Sequence, residues 1–145
     1  MAVGISACGS DDKLPTDVPE QPGKNDTTMK LQISVGSNVF TATLTDNAAA
    51  KAFEELLPMT LNMSELNNNE KFAELSRSLP TIASNPGTIH NGDIMLYGAR
   101  TVVIFYKTFS SSYSYTRIGK IDNPDGLANA LGTGSVSVVF EEQAN

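Results

Sequence analysis

The sequence predicts a mainly β domain, a closed barrel of about eight mostly antiparallel strands with two short helices. Apolar and polar residues alternate in several segments of residues 29–142, which is typical of strands with one buried face. Turn-forming residues separate these segments at short intervals. Only two segments have the spacing of a helix, and a closed barrel leaves no strand edge unpaired. A barrel is therefore favoured over an open sheet.

The first half of the domain begins with a predicted β-hairpin. Residues 31–44 alternate apolar and polar side chains on both sides of a turn at residues 36–38. Asp46 can then cap a helix whose apolar side chains recur every three or four residues, and Pro58 ends that helix. Residues 59–64 alternate again, which predicts a further strand.

The next segments are shorter and less regular. Three asparagines at residues 67–69 predict a turn before a short apolar segment at residues 72–75. Residues 78–87 contain two prolines and predict a long loop. At the end of the domain, residues 136–140 alternate as a last strand.

Three strands and a helix are predicted between the loop at residues 78–87 and the last strand. Residues 94–97 and 102–106 read as two strands joined by a tight turn, and the unbroken apolar run of the second predicts burial on both faces. Residues 115–121 predict another strand. Pro124 is expected at the first position of a second short helix, which Gly132 terminates.

The composition is that of one acidic globular domain. A chain of 145 residues is long enough for a single core. Its 10 Lys and Arg against 16 Asp and Glu give a net charge of -6, which repels phosphate backbones and argues against nucleic acid as a partner. No apolar run approaches the ~18 residues of a membrane-spanning helix. We therefore expect membrane association only through a lipid anchor.

The single cysteine, Cys8, lies in a sequence that resembles a bacterial lipobox. One apolar and two small residues, Ile5-Ser-Ala, precede it, as in lipoproteins whose cysteine thiol is acylated. The resemblance implies lipidation of Cys8 and a place on the bacterial cell envelope, as an outer-membrane or surface lipoprotein on the periplasmic or extracellular side. Residues 1–7 are shorter than a signal peptide and lack its positive region, so we expect a truncated or misassigned start. The alternative is a free thiol in an N-terminal tail.

The residues after the cysteine are expected to form a disordered tether. Asp11, Asp12 and three prolines follow Cys8, with few aliphatic side chains among them. Such a segment buries too little apolar surface to offset the entropy lost on ordering. The predicted organisation is therefore a signal and tether at residues 1–28, a barrel domain at 29–142 and a short tail at 143–145.

Several motifs in the barrel segment resemble those of bacterial cyclophilin-like domains. They are the segment from Asn85 to Tyr97, which contains Gly-Asp-Ile-Met-Leu-Tyr, then Val103-Ile-Phe-Tyr106, Ile118-Gly-Lys-Ile121 and Gly126-Leu-Ala-Asn-Ala-Leu131. The resemblance covers nearly all of residues 29–142 and implies the barrel of the cyclophilins. It implies no established biochemical role, since a fold does not carry a function with it.

The catalytic residues of a prolyl isomerase are not recognisable in this chain. That reaction lowers an amide rotation barrier of ~18 to 20 kcal/mol, and it needs an apolar socket and a guanidinium near the imide nitrogen. Cyclophilins use a Phe-His-Arg stretch, a tryptophan and a distant histidine. This chain has no tryptophan, no Phe-His-Arg and a single histidine, His90. We therefore predict no catalytic residue, no metal site and no cofactor.

The best candidate for a binding surface is the aromatic segment that ends at Arg117. It combines aromatic faces, hydroxyl groups and one cation, which suit recognition. The predicted binding residues are Tyr97, Tyr106, Phe109, Tyr113, Tyr115 and Arg117. Alternatively, Phe109 and some of the tyrosines only fill the end of the barrel. We predict a non-catalytic module that binds a small molecule, a peptide or a protein; the alternative is a divergent peptidyl-prolyl isomerase or an accessory to a flavin-dependent partner.

Overall fold

The computed structural model describes residues 29–143, which form ten strands and two short helices. In chain order they are β1 (Lys30–Val35), β2 (Asn38–Leu44), α1 (Ala48–Glu54), β3 (Met59–Leu66), β4 (Glu70–Glu74), β5 (Thr88–Ile89), β6 (Asp93–Tyr97), β7 (Thr101–Phe105), β8 (Phe109–Ser110), β9 (Thr116–Ile121), α2 (Leu127–Leu131) and β10 (Val136–Glu142). Within residues 29–143, no helix has the length and apolar character needed to cross a bilayer. Cys8 and the predicted tether lie outside the described residues.

Eight of the strands close into an antiparallel barrel, as predicted. Their order is β1-β10-β3-β4-β7-β6-β9-β2, and the pairing of β1 with β2 completes the circle. The predicted hairpin at residues 31–44 is formed by β1 and β2, with Ile33 opposite Phe40. Ile33 also lies opposite Phe140 of β10. The first and last strands of the domain are therefore neighbours, and the barrel closes only when the end of the chain is in place.

Helix α1 is capped one residue later than predicted. The side chain of Asn47, not that of Asp46, accepts a hydrogen bond from the backbone N–H of Ala50 at 2.7 Å. The Asn47 amide also donates to the Arg117 carbonyl oxygen at 2.9 Å. Asn47 satisfies a free N–H of the first helical turn and ties the helix to β9, whereas the Asp46 carboxylate lies exposed beside Lys51.

Helix α2 is shorter than predicted. It begins at Leu127, so the expectation that Pro124 occupies its first position is wrong. Gly126 precedes the helix with a φ of 83°, a left-handed conformation that a helix cannot contain, and the residues before it form a turn. The predicted end of the helix at Gly132 is confirmed.

The main apolar core fills the barrel interior. All eight barrel strands and both helices contribute buried side chains to one cluster. Phe53 of α1 meets Phe140 of β10 edge to face, with ring centroids 5.6 Å apart. Each large side chain buried in this way contributes about 1.5 to 3 kcal/mol. The helices therefore complete the core that the strands enclose.

A second apolar layer lies on the outside of β6 and β7. Because successive side chains of a strand point to opposite faces, the residues between the interior positions face outward. The outer layer consists of Ile89, Met95, Val103, Phe105 and Tyr115. The two-stranded sheet of β5 and β8 covers it, and Phe109 of β8 packs on Phe105 with ring centroids 5.7 Å apart. Strand β7 is thus buried on both faces, as its unbroken apolar run predicted.

The seam between β2 and β9 requires a glycine. Gly119 lies opposite Leu44, and a Cβ atom on it would lie 2.6 Å from the carbonyl oxygen of Thr43. Since that oxygen belongs to the backbone, any side chain at this position would push the two strands apart. Gly119 therefore permits the close approach of β2 and β9.

Lys71 places an ammonium group inside the barrel wall. It lies on β4 opposite Glu65 of β3, and its side chain is fully buried. The Nζ atom lies 3.0 Å from Glu65 Oε1 and donates to the carbonyl oxygens of Gly132, at 2.9 Å, and Gly134. An ammonium group has three donors, so these partners satisfy it fully. The contacts join β4 to β3 and to the loop that precedes β10.

Tyr106 and the β3–β4 turn complete this network. The Tyr106 hydroxyl donates to Glu65 Oε1 at 2.7 Å, and its ring centroid lies 5.8 Å from Lys71 Nζ. The other Glu65 oxygen accepts the backbone N–H of Asn68 at 2.7 Å. Although partial burial opposes it, these hydrogen bonds hold the pKa of Glu65 below its ordinary value. Burial and the bond to Glu65 raise the pKa of Tyr106 to about 12.

We expect Lys71→Met to destabilise the domain by about 3 kcal/mol, because it removes a buried cation together with its three hydrogen bonds to Glu65, Gly132 and Gly134. Chemical denaturation at neutral pH measures this change. Lys51→Met is the matched control, since Lys51 and Asp46 form an exposed pair 3.7 Å apart whose loss should change stability by less than about 0.5 kcal/mol. Equal stability of the two variants would contradict a structural role for Lys71.

Candidate functional site

A pocket of about 370 Å³ opens on the outer face of β4, β7 and β6, beside the covered apolar layer. We call it the tyrosine pocket. Its lining residues are Leu66, Asn67, Glu70, Phe72, Tyr97, Thr101, Val103, Tyr113 and Tyr115. They come from the β3–β4 hairpin, the β6–β7 hairpin and the segment that leads into β9. The pocket therefore depends on how these three pieces are held together.

Strand pairing places the floor of the pocket. Phe72 of β4 lies directly opposite Val103 of β7, and Thr101 of β7 lies opposite Tyr97 of β6. Directly opposed side chains share one face of a sheet and have Cβ atoms about 4.5 to 5.5 Å apart. This register therefore gives the pocket a floor with an apolar centre and aromatic side chains around it.

The β3–β4 turn forms one rim. Asn67 and Asn68 have φ values of 58° and 57°, the left-handed conformation that asparagine tolerates better than most residues and that tight hairpins require. The Asn68 N–H is bound to Glu65, so the turn is fixed to the Lys71 network. The predicted turn at residues 67–69 is thus confirmed, and it presents Leu66 and Asn67 to the pocket.

Three tyrosines form the opposite wall. The Tyr97 ring lies 6.3 Å from that of Tyr113, edge to face, and 5.8 Å from that of Tyr115. Tyr115 is buried against Phe105, with ring centroids 5.5 Å apart. Its backbone exchanges hydrogen bonds of 2.9 and 3.0 Å with Ser84 of the predicted long loop. Tyr115 therefore anchors the wall, while Tyr97 and Tyr113 stand 50% and 62% exposed at the mouth.

Glu70 supplies a carboxyl group to this mainly apolar pocket. The residue is 8% exposed, and among residues 29–143 its carboxyl has no hydrogen-bond or ion-pair partner. Its sequence neighbour Lys71 projects to the opposite face of β4 and is bound to Glu65. Burial, and then repulsion from Glu65, raise the pKa of Glu70 to about 7. The group is therefore partly protonated at neutral pH.

The structure brings together three of the six residues predicted to bind a ligand. Tyr97, Tyr113 and Tyr115 line the tyrosine pocket. Tyr106 belongs to the interior core and bonds Glu65, and Phe109 covers the outer apolar layer. Arg117 is exposed on β9, opposite Met95, and is not among the lining residues.

Glu70 and Phe72 are lining residues that sequence reasoning missed. The segment was predicted only as a short apolar stretch after a turn, and a Glu-Lys pair at that place is typical of a solvated strand end. In the structure, the alternation of β4 places Glu70 on the same face as Phe72, and tyrosines from elsewhere in the chain cover that face.

The polar side chains of His90, Asp93 and Arg100 have structural contacts. The Asp93 carboxylate accepts the backbone N–H of His90 at 2.9 Å, and His90 Nδ1 lies 3.9 Å from the same oxygen. Asp93 thus fixes the turn before β6. Arg100 donates from Nε and Nη2 to the Leu75 carbonyl oxygen at 3.3 and 3.0 Å. Within residues 29–143, no three His, Cys, Asp or Glu side chains converge as a metal site would require.

The raised pKa of Glu70 makes stability depend on pH. Its ordinary value is 4.5 and its value in the folded protein is about 7, so folding favours the protonated form. That contribution is fully present below pH 4.5 and is lost as the pH rises through about 7. Glu70→Gln removes the titration. The variant should therefore gain on the order of 2 to 3 kcal/mol relative to the unsubstituted protein between pH 4.5 and pH 8.

Urea unfolding at both pH values measures this difference. Glu74→Gln is the control, because it removes the same group from an exposed position on the same strand. A Glu70→Gln effect that is the same at pH 4.5 and pH 8 would show that the Glu70 carboxyl is not desolvated.

Comparison with known proteins places the chain in one family. The sequence matches the Cyclophilin-like family over residues 33–141. The fold is similar to that of a hypothetical protein from Archaeoglobus fulgidus known from its solution structure, with a TM-score of 0.56 and 18% sequence identity over 84% of this chain and 100% of the other. No curated protein matches the sequence. The family match spans nearly the whole barrel, so the chain belongs to the cyclophilin-like family.

Proposed function

We propose that this domain is a binding module that holds a small molecule, or a side chain of a peptide or protein, in the tyrosine pocket. The observation that carries the proposal is the cluster of Tyr97, Tyr113 and Tyr115 around a pocket of about 370 Å³. Ligand sites are typically concave, lined by apolar and aromatic groups, and have a few polar groups that orient the ligand. Here Thr101, Asn67 and the Glu70 carboxyl are those polar groups.

The exposure of the tyrosines supports binding over packing alone. Tyr97 and Tyr113 contact each other at the mouth but leave about half of their surface to solvent. Tyrosine gives a large contact area with few rotatable bonds and a polar hydroxyl, so little entropy is lost when it contacts a ligand. The deep residues Val103 and Tyr115, by contrast, are buried and hold the pocket in shape.

The charge in the pocket favours binding over prolyl isomerisation. Isomerisation requires a cation near the imide nitrogen, whereas the pocket presents the Glu70 carboxyl. The guanidinium of Arg100 is bound to the Leu75 carbonyl oxygen, and Arg117 lies on β9 outside the lining. An accessory role beside a flavin-dependent partner remains a second possibility for the same aromatic pocket, and a flavin belongs among the compounds tested.

Tyr113→Ala tests the proposed function. The probes are phenol, indole, butylammonium and flavin mononucleotide, and we expect at least one of them to shift amide resonances of β4, β6 and β7 in NMR titrations. Tyr113→Ala should weaken the binding of that compound at least tenfold. The melting temperature should change little, because Tyr113 is 62% exposed. Ile82→Ala is the control, since Ile82 is 70% exposed and lies outside the pocket. Resonance shifts confined to another surface, or no binding at all, would refute the proposal.

We also propose that a lipid on Cys8 holds the domain at the bacterial cell envelope. The support is the Ile5-Ser-Ala-Cys8 sequence and the acidic, proline-containing segment after it. Several acyl chains on one cysteine would anchor the protein firmly, since each buried methylene contributes about 0.8 kcal/mol. Mass spectrometry of the protein from a membrane fraction should find acylated Cys8, and Cys8→Ala should release the protein from the membrane. Soluble, unmodified Cys8 would refute the anchor.

A further inference from the structure

In the part of the chain that the structure describes, the Glu70 carboxyl lacks the partner that a buried charge normally has. It is 8% exposed, it lines the tyrosine pocket, and no donor among residues 29–143 is bonded to it. Lys71, the nearest cation in the sequence, is on the other side of the strand with its donors used by Glu65, Gly132 and Gly134. A buried carboxylate without a partner is unfavourable, so a donor or cation that enters the pocket gains an interaction that residues 29–143 leave unmade.

The aromatic side chains around Glu70 favour the same kind of ligand. Phe72, Tyr97, Tyr113 and Tyr115 line the pocket together with Glu70. The face of an aromatic ring carries partial negative charge, so it attracts a cation and also accepts the apolar carbons attached to it. An alkylammonium ion has both parts: a charged head and an apolar chain.

Resting on the proposed function, we propose that the ligand of the tyrosine pocket is an alkylammonium ion, with its charged nitrogen at Glu70 and its carbon chain against the aromatic walls. The ion is either a free amine or the side chain of a lysine in a peptide. One carboxyl group matches one positive charge. A divalent metal ion is a poorer match, because it requires several oxygen ligands and the walls around Glu70 are mostly aromatic and aliphatic.

The pocket dimensions are compatible with this ligand. Its volume of about 370 Å³ accommodates a chain of four or so carbons with the ammonium head. Asn67 and Thr101 lie in the lining and carry oxygen atoms that can accept the remaining ammonium N–H groups. Tyr113 lines the mouth and is 62% exposed, so its ring is available to contact the carbon chain.

The test compares charged and neutral ligands of equal length. Binding of n-butylammonium and of n-butanol is measured at pH 8 by NMR titration or calorimetry, with Glu70→Gln and the control Glu74→Gln. A second pair, acetyl-Gly-Lys-Gly-amide and the same peptide with norleucine, distinguishes a lysine side chain from a free amine. We expect at least tenfold tighter binding of each cation than of its neutral counterpart. Glu70→Gln should abolish that preference, and Glu74→Gln should retain it.

The outcomes separate the two proposals. Equal affinities for butylammonium and butanol, or undiminished butylammonium binding by Glu70→Gln, would overturn the ammonium ligand. If phenol or indole still bound in that case, the binding module itself would stand. If none of the probes bound, both proposals would fall.

Discussion

The buried ammonium group of Lys71 is the constraint on which the arrangement of this barrel depends. It bonds Glu65 and the carbonyl oxygens of Gly132 and Gly134, and so it joins β3, β4 and the approach to β10 at one point. Glu65 in turn holds Tyr106 and the N–H of Asn68. A charge in a protein interior is tolerated only when its donors are all used. Satisfying this one group therefore specifies the relative positions of several strands.

The tyrosine pocket is built on the outside of that network. The β3–β4 turn, held from inside by Glu65, presents Leu66 and Asn67 to the pocket, and β4 presents Glu70 and Phe72. The tyrosines come from the other side, supported by the outer apolar layer around Phe105. The barrel interior thus positions one wall and the outer layer positions the other. A rigid frame of this kind lowers the entropy lost when a ligand binds.

Most of the fold is predictable because a strand's period of two is a local property of the backbone. The β1–β2 hairpin, β7 and the asparagine turn follow from residues that are close in sequence. The start of α2 does not, because the choice between Pro124 and Leu127 depends on the left-handed conformation that Gly126 adopts in the fold. The composition of the tyrosine pocket was predictable in part: three tyrosines of the predicted surface line it, but the sequence did not show that Tyr106 faces the barrel interior while Tyr115 faces outward. Glu70 gave no local signal, since its burial is caused by groups distant in the chain.

Adjacent residues of opposite charge, Glu70 and Lys71, lie on the two sides of one barrel wall. A shift of β4 by one residue relative to β3 and β7 would exchange the faces of the wall on which Glu70 and Lys71 lie. Glu70 would then stand inside against Glu65, two carboxylates without a cation, and Lys71 would lie outside among the tyrosines. Electrostatics therefore selects one register for β4 even where the apolar pattern of this short strand is weak. The alternation of Glu70 and Lys71 along β4 therefore has two effects. It places the Glu70 carboxyl in the tyrosine pocket, and it disfavours a barrel in which β4 is shifted by one residue.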